Sequence, residues 1–215
     1  MIFGSISYLN LLPFQVFMKR YIHHPGTKMG MNYRKNVPSQ INSALKKRQI
    51  DAGFISSIES PKYQCSNLGI IANRAVYSVF VIQGENKIDE DSASSNRLAK
   101  VLNLQGEVLI GDKALKYYLE GGVGIDLATQ WHKETQLPFV FAQLCYTCHG
   151  KLIEKIAKKF SKQPIKIPQY ILKREANKRG ISPRQLRWYL KHIKYNMSYK
   201  ATKSLKLFLK KSKEI

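Results

Sequence analysis

An α/β fold of mixed, mostly parallel sheets with helices on both faces is predicted by three observations. Short β-prone runs alternate with segments of helical spacing over the first 150 residues. Several of those runs end in turns carrying Ser, Asn or Gly that open directly into a helix. From Lys151 onward the chain turns helical, which supplies material to cover the sheet faces. At 215 residues and 44% hydrophobic composition the chain buries a substantial core, as one large domain or two small ones.

The elements follow in order. Phe3 to Ile6 alternates as a strand and Leu11 to Arg20 suits a helix, so Ser7-Tyr8-Leu9-Asn10 is a strand-to-helix turn. After a Pro25-Gly26 turn, Lys28 to Tyr33 reads as a strand. Asn36 then caps a helix with Pro38 in its first turn, running to about Arg48. Asp51 to Ile55 is the next strand, and Ser56-Ser57-Ile58-Glu59 has the spacing of a capping box at a helix start, an arrangement that favours anions. Leu68 to Ala72 and Ala75 to Ile82 are strand-like, the latter containing Ser78. Ser92-Ala93-Ser94-Ser95 leads into a helix over about 96–104. Val108 to Ile110 ends in Gly111-Asp112 and a helix to Leu119; a glycine-rich connection at 121–124, without phosphate-loop spacing, precedes a strand over Phe139 to Leu144. Helices are expected over 152–160 and 167–178, from Ser182-Pro183-Arg184-Gln185, and over 199–211.

Charge narrows the partners without choosing among them. The chain has 36 Lys and Arg against 14 Asp and Glu, and the stretch from Lys151 carries 20 of those cations with only Glu154, Glu175 and Glu214 as acids. Such a tail reads as the solvated faces of amphipathic helices; no RNA- or DNA-binding signature accompanies it, so nucleic acid is not the expected partner. No apolar run reaches the roughly 18–20 residues that span a bilayer. The apolar opening lacks a basic start and is interrupted by Asn10 and Pro13, so a cytoplasmic location without membrane insertion is expected. Three cysteines argue against a disulfide framework.

Cys145-Tyr146-Thr147-Cys148-His149 matches the pattern that attaches a c-type haem, and its thiols also suit zinc or dithiol chemistry. Haem attachment requires export, and zinc requires two more ligands that only Cys65 and scattered histidines offer, so the pattern reads as coincidental and no metal is expected. His23-His24, His132 and His192 show no paired ligand spacing, and Trp131 and Trp188 read as packing residues. The informative features are small polar groups at strand ends: Asn10, Ser56-Ser57, Ser78, Ser94-Ser95 and Gly111-Asp112. Each alone is an ordinary helix cap. Several together, in a chain whose ligands bind outside the carboxyl ends of parallel strands, describe a cleft for carboxylates.

Ser7-Tyr8-Leu9-Asn10-Leu11-Leu12-Pro13-Phe14 resembles the opening of the chorismate dehydratases of the futalosine route to menaquinone. The resemblance continues through Asp51 to Glu59, Val76-Tyr77-Ser78-Val79, Ser92 to Ser95 with Ser94 in place of a threonine, Gly111 to Leu115, Asp126-Leu127 with Trp131 and with Ala128 in place of a glycine, and Leu137 to Ala142. It covers about residues 3–142; the basic tail carries no such motif. The resemblance implies a two-lobed periplasmic-binding-protein-like type II fold with the ligand between the lobes, the first lobe formed by 1–83 plus 180–215 and the second by 84–179.

The activity so implied is loss of water from chorismate to give 3-[(1-carboxyvinyl)oxy]benzoate, without metal or organic cofactor. Asn10 and Ser78 are the expected catalytic residues, and Ser56, Ser57, Ser94, Ser95, Gly111 and Asp112 the expected substrate-binding set. A carboxamide is not basic, so the base is either Asp112 or, the preferred reading, a carboxylate of the substrate itself. A non-catalytic binding protein for a small carboxylate uses the same cleft and fold, and a basic nucleic-acid-binding protein accounts for the tail; oligomeric state is not legible.

Overall fold

The computed structural model describes residues 1–22, 32–162 and 164–215. His23, His24, the Pro25-Gly26 turn and the first part of the strand expected from Lys28 lie outside the described residues. In chain order the first elements are β1 (Ile2–Ile6), α1 (Leu12–Ile22), β2 (Asn32–Asn36), α2 (Pro38–Lys46), β3 (Ala52–Ser56) and β4 (Gln64–Ala72). Next come β5 (Val79–Ile82), α3 (Ala93–Val101), β6 (Glu107–Ile110), α4 (Gly111–Leu119), β7 (Ile125–Asp126) and α5 (Leu127–Thr135). The chain closes with β8 (Phe139–Tyr146), α6 (Gly150–Ser161), α7 (Gln169–Asn177), α8 (Pro183–Leu190), β9 (Ile193–Asn196) and α9 (Tyr199–Lys211).

Six strands form one sheet in the order β2-β1-β3-β8-β4-β9, and three form another in the order β6-β5-β7. Both belong to an α/β architecture, but the expected dominance of parallel pairing is corrected. Only β1 with β2 and β1 with β3 are parallel, whereas β3–β8, β4–β8, β4–β9, β5–β6 and β5–β7 are antiparallel. Two of these pairings come from β8, which re-enters the large sheet between β3 and β4 running against both. The sheet changes also fall earlier than the expected boundaries near Gly84 and Arg179. The chain leaves the large sheet after Ala72, enters the small one at Val79, and is back in the large one at Phe139.

Local differences have local causes. The Ser56–Glu59 capping box does not form: Ser56 ends β3, and a single 3-10 turn at Ser60–Lys62 follows before β4 begins, with Glu59 paired to Lys62 instead of reaching back to Ser56. Asn36 belongs to β2, and its side chain accepts from the adjacent Val37 N–H while Val37 occupies the helix cap. Residues 75–78 are not strand, because Tyr77 adopts a left-handed conformation at φ 58°. Three elements are not predicted by the sequence: β7, a two-residue strand, α5, which Asp126 caps by accepting from Thr129 N–H, and β9, a short edge strand. The capping box at Ser182 and Gln185 is present as expected.

Two aromatic clusters anchor the layers. Phe14 of α1 meets Phe54 of β3 and Phe160 of α6, each at 5.1 Å between ring centroids, on one side of the large sheet. Trp131 of α5, fully buried, packs edge-on against Phe139 of β8 and Phe208 of α9, and its indole N–H donates to Ser204 at 2.8 Å. That contact ties the helix after the small sheet to the C-terminal helix. Ile41 of α2 and Ile50 beyond it pack closely over Gly4 in β1, where a Cβ would sit 2.5 Å from Ile50 and 3.1 Å from Ile41.

Cys65 of β4 lies directly opposite Cys145 of β8, and the two are joined by a disulfide, a link that the cysteine count had not suggested. Cys145 is thereby unavailable to haem or zinc chemistry, and Cys148 is left as an exposed free thiol. Alkylation of the protein unfolded without reductant is expected to modify one cysteine by mass, and after reduction three; three without reductant would show that the link is absent.

Candidate active site

The turns at the ends of β1, β3 and β6 converge with the start of α3 and the crossing segment before β5 on one narrow cleft. Tyr8, Asn10, Ser56, Ser78, Ser92, Ser95 and Gly111 line it, against an apolar wall that includes Ile70, Val76 and Phe141. Of the eight residues expected from the sequence, five therefore share one cavity.

The hydrogen bonds show what each can offer. The Asn10 carboxamide oxygen is buried without a partner among the described residues, while its backbone carbonyl accepts from the Tyr195 hydroxyl at 2.6 Å. An unpartnered buried acceptor costs free energy of about 1–3 kcal/mol, which a ligand donor recovers. The Ser56 N–H donates to the Asn42 carboxamide oxygen at 3.0 Å, and the Asn42 amide nitrogen donates back to the Ser56 hydroxyl at 2.8 Å. Ser56 is thus clamped as an acceptor, leaving its own proton for a ligand. Ser95 is held in the same sense: its hydroxyl accepts from Ser92 at 2.8 Å, and its N–H donates to the Ser92 oxygen at 3.2 Å. Two hydroxyl donors from different parts of the chain face one cavity, which suits carboxylate oxygens.

Ser78 is buried and shares a 2.9 Å hydrogen bond with the Tyr189 hydroxyl. Burial raises the Tyr189 phenol well above its ordinary range, so it stays protonated at neutral pH. The Ser78 carbonyl accepts from Gly111 N–H at 2.8 Å. Gly111 itself sits at φ 70°, and a Cβ there would come within 2.7 Å of the Tyr8 ring, so both the backbone conformation and the space demand glycine.

Ser57, Ser94 and Asp112 do not line the cleft. Ser57 turns inward and donates to Val140 O at 2.6 Å, and Ser94 accepts from Ile58 N–H at 3.2 Å, tying α3 to the turn after β3. Asp112 accepts from Leu9 N–H at 2.9 Å and from Arg179 at 2.8 Å, while Arg179 also donates to Ser7 O at 3.0 Å and pairs with Glu175. Burial pushes the Asp112 carboxyl upward against the Leu9 N–H and the guanidinium, which favour its charged form. These three contacts fasten the turns that carry Asn10 and Gly111 to their surroundings.

Asn42, Asp126, Tyr189 and Tyr195 were missed. Tyr189 and Tyr195 lie in the basic tail, where only charge stood out, and nothing local marks Asn42. Asp126 was legible as a cap, since Asp is among the residues preferred at the start of a helix. Its larger role is tertiary: one carboxylate oxygen accepts from Val76 N–H at 3.0 Å and Tyr77 N–H at 2.8 Å, and the other from Thr129 N–H at 2.9 Å. Among the described residues no cluster of three or more His, Cys, Asp or Glu could hold a metal ion.

A polar cleft lies between a six-stranded mixed sheet and a three-stranded antiparallel one, and solved structures place the fold in the periplasmic-binding-protein class. A protein of Archaeoglobus fulgidus superposes with TM-score 0.71 at 13% identity, covering 99% of this chain and 96% of that one. A Candida albicans protein described as having the generic periplasmic binding protein fold gives 0.59 at 8% identity, covering 100% and 90%. Within that class, the menaquinone biosynthesis family model matches residues 1–103 and 94–214, and the chain is 47% identical over 220 residues to the chorismate dehydratase of Campylobacter jejuni, covering 100% of this chain and 99% of that protein. The chain belongs to the menaquinone biosynthesis family.

Asp126→Ala leaves three backbone donors of the crossing segment and α5 without their acceptor. A loss of about 2–4 kcal/mol in unfolding free energy is expected by urea denaturation. A change below about 0.5 kcal/mol would show that the carboxylate does not hold the segment.

Proposed function

We propose that this protein is a chorismate dehydratase, a cytoplasmic hydro-lyase that converts chorismate to 3-[(1-carboxyvinyl)oxy]benzoate on the futalosine route to menaquinone. The observation that carries the reaction is the full-length similarity to the Campylobacter jejuni enzyme. The geometry supports it by offering what the chemistry needs. Among the described residues no helix is long and apolar enough to cross a membrane.

The elimination breaks the C3–H and C4–O bonds; the proton and the hydroxide leave as water, and the electron pair from C3–H completes the aromatic ring. Ser56 and Ser95 donate to the two carboxylates. Asn10 accepts from the C4 hydroxyl through its unpartnered oxygen and, through its amide nitrogen, donates to the oxygen as it departs. Ser78 donates a hydrogen bond to the departing oxygen and accepts one from the neutral Tyr189 hydroxyl, while the proton that the substrate carboxylate takes from C3 passes to the hydroxide, so water leaves and the protein keeps its protons. Removal of the C3 proton falls to a carboxylate of the substrate. Asp112, already engaged by Leu9 N–H and Arg179 outside the cavity, is poorly placed to be the base.

Incubation of metal-stripped protein with chorismate is expected to yield a product lighter by one water that retains the enolpyruvyl ether, read by chromatography with mass detection. Unchanged chorismate bound to folded protein would instead mark a binding protein. Asn10→Ala and Ser78→Ala are each expected to lower kcat by about 10²–10⁴-fold, whereas Ser56→Ala mainly raises KM. Asp112→Asn is expected to retain turnover. If it abolishes turnover in folded protein while the Asn10 and Ser78 variants remain active, Asp112 is the base.

A further inference from the structure

The crossing segment before β5 separates two cavities. Val76 and Ser78 line the cleft, whereas Arg74 and Tyr77 line an open groove elsewhere on the surface. The groove runs between α5 and the stretch from the end of α8 to the start of α9. Arg74, Lys191, Lys194 and Lys200 all contribute to its walls, all are exposed, and neither Asp nor Glu lines it. Among the described residues the four cationic side chains have no ion-pair or hydrogen-bond partner, although Lys62, Lys87, Lys113 and Lys116 elsewhere each pair with a carboxylate. Four cations around one concavity without an acid give it a positive potential that concentrates anions there.

We propose that this groove binds a small anion carrying two or more negative charges, of the phosphate-ester or polycarboxylate kind, at a site separate from the cleft. Arg74 contributes a planar fork that grips two oxygens at once, and the three lysines contribute point charges around it. The site needs nothing from the chemistry of the cleft, so its test is independent of turnover.

The groove predicts saturable binding of pyrophosphate or of citrate to the whole protein, measured by titration calorimetry at fixed ionic strength. The pair Arg74→Ala and Lys194→Ala is expected to weaken that binding about tenfold or more. The pair Lys155→Ala and Lys158→Ala, which removes the same charge from exposed positions on α6, is expected to leave it unchanged. Binding of pyrophosphate alone assigns phosphate chemistry to the site, and binding of citrate alone assigns carboxylates. No saturable binding of either at millimolar concentration, or equal weakening by both pairs with the fold intact by circular dichroism, overturns the proposal.

Discussion

Asp126 accepts backbone N–H bonds from Val76, Tyr77 and Thr129, and the passage from the large sheet to the small one is built around that carboxylate. Tyr77 is held at φ 58°, a conformation that costs a residue with a side chain about 1–3 kcal/mol and persists only where its surroundings impose it. The residue after it is Ser78. With Asp126 fixing the backbone on one side, Gly111 N–H holding the Ser78 carbonyl and Tyr189 meeting its hydroxyl, three distant parts of the chain determine where one side chain points. Ser78 is therefore positioned by tertiary structure and not by a local motif.

The same economy recurs around the cleft. Asn42 fills the acceptor site of Ser56, and Ser92 fills that of Ser95, so each hydroxyl has a proton left to give and little freedom in where to give it. Preorganised neutral donors bind carboxylates without placing a full positive charge beside them. Arg179 remains outside, where it joins Asp112, Glu175 and the Ser7 carbonyl into a clasp. Burial opposes ionisation of Glu175, but hydrogen bonds from Arg174 and Arg179 outweigh it and hold its carboxyl below the usual range. That part of the clasp is present above the ordinary glutamate range and is lost as the pH falls through the lowered one.

Much of this was legible in the sequence, and the limits are physical. The strand ends at Asn10 and Gly111 and the helix start at Ser92–Ser95 are local signals, since a polar turn between an apolar run and a helix reports its own conformation; at Ser56 the strand end was legible, but the helix expected after it does not form. The inward turn of Ser57 and Ser94 was not legible, because a hydroxyl on either side of a turn looks the same until a carbonyl such as Val140 O claims one of them. The antiparallel entry of β8 depends on pairing between residues more than 60 positions apart, which no local pattern encodes. Tyr189 and Tyr195 lay in a tail that reads only as basic helices, yet each hydrogen-bonds a residue that lines the cleft. The large positive charge is not spread evenly in effect: several cations pair with acids, while Arg74 meets Lys191, Lys194 and Lys200 of the C-terminal stretch around a groove without an acid.

The central claim is that the substrate is held between Ser56, Ser95, Asn10 and Ser78. A crystal structure with the dehydrated dicarboxylate bound tests it most directly. The account predicts that the two carboxylates meet the Ser56 and Ser95 hydroxyls and that the ring carbon which carried the lost hydroxyl faces Asn10 and Ser78. Density for the product in the basic groove with the cleft empty, or in the cleft with its carboxylates away from both serines, would contradict it.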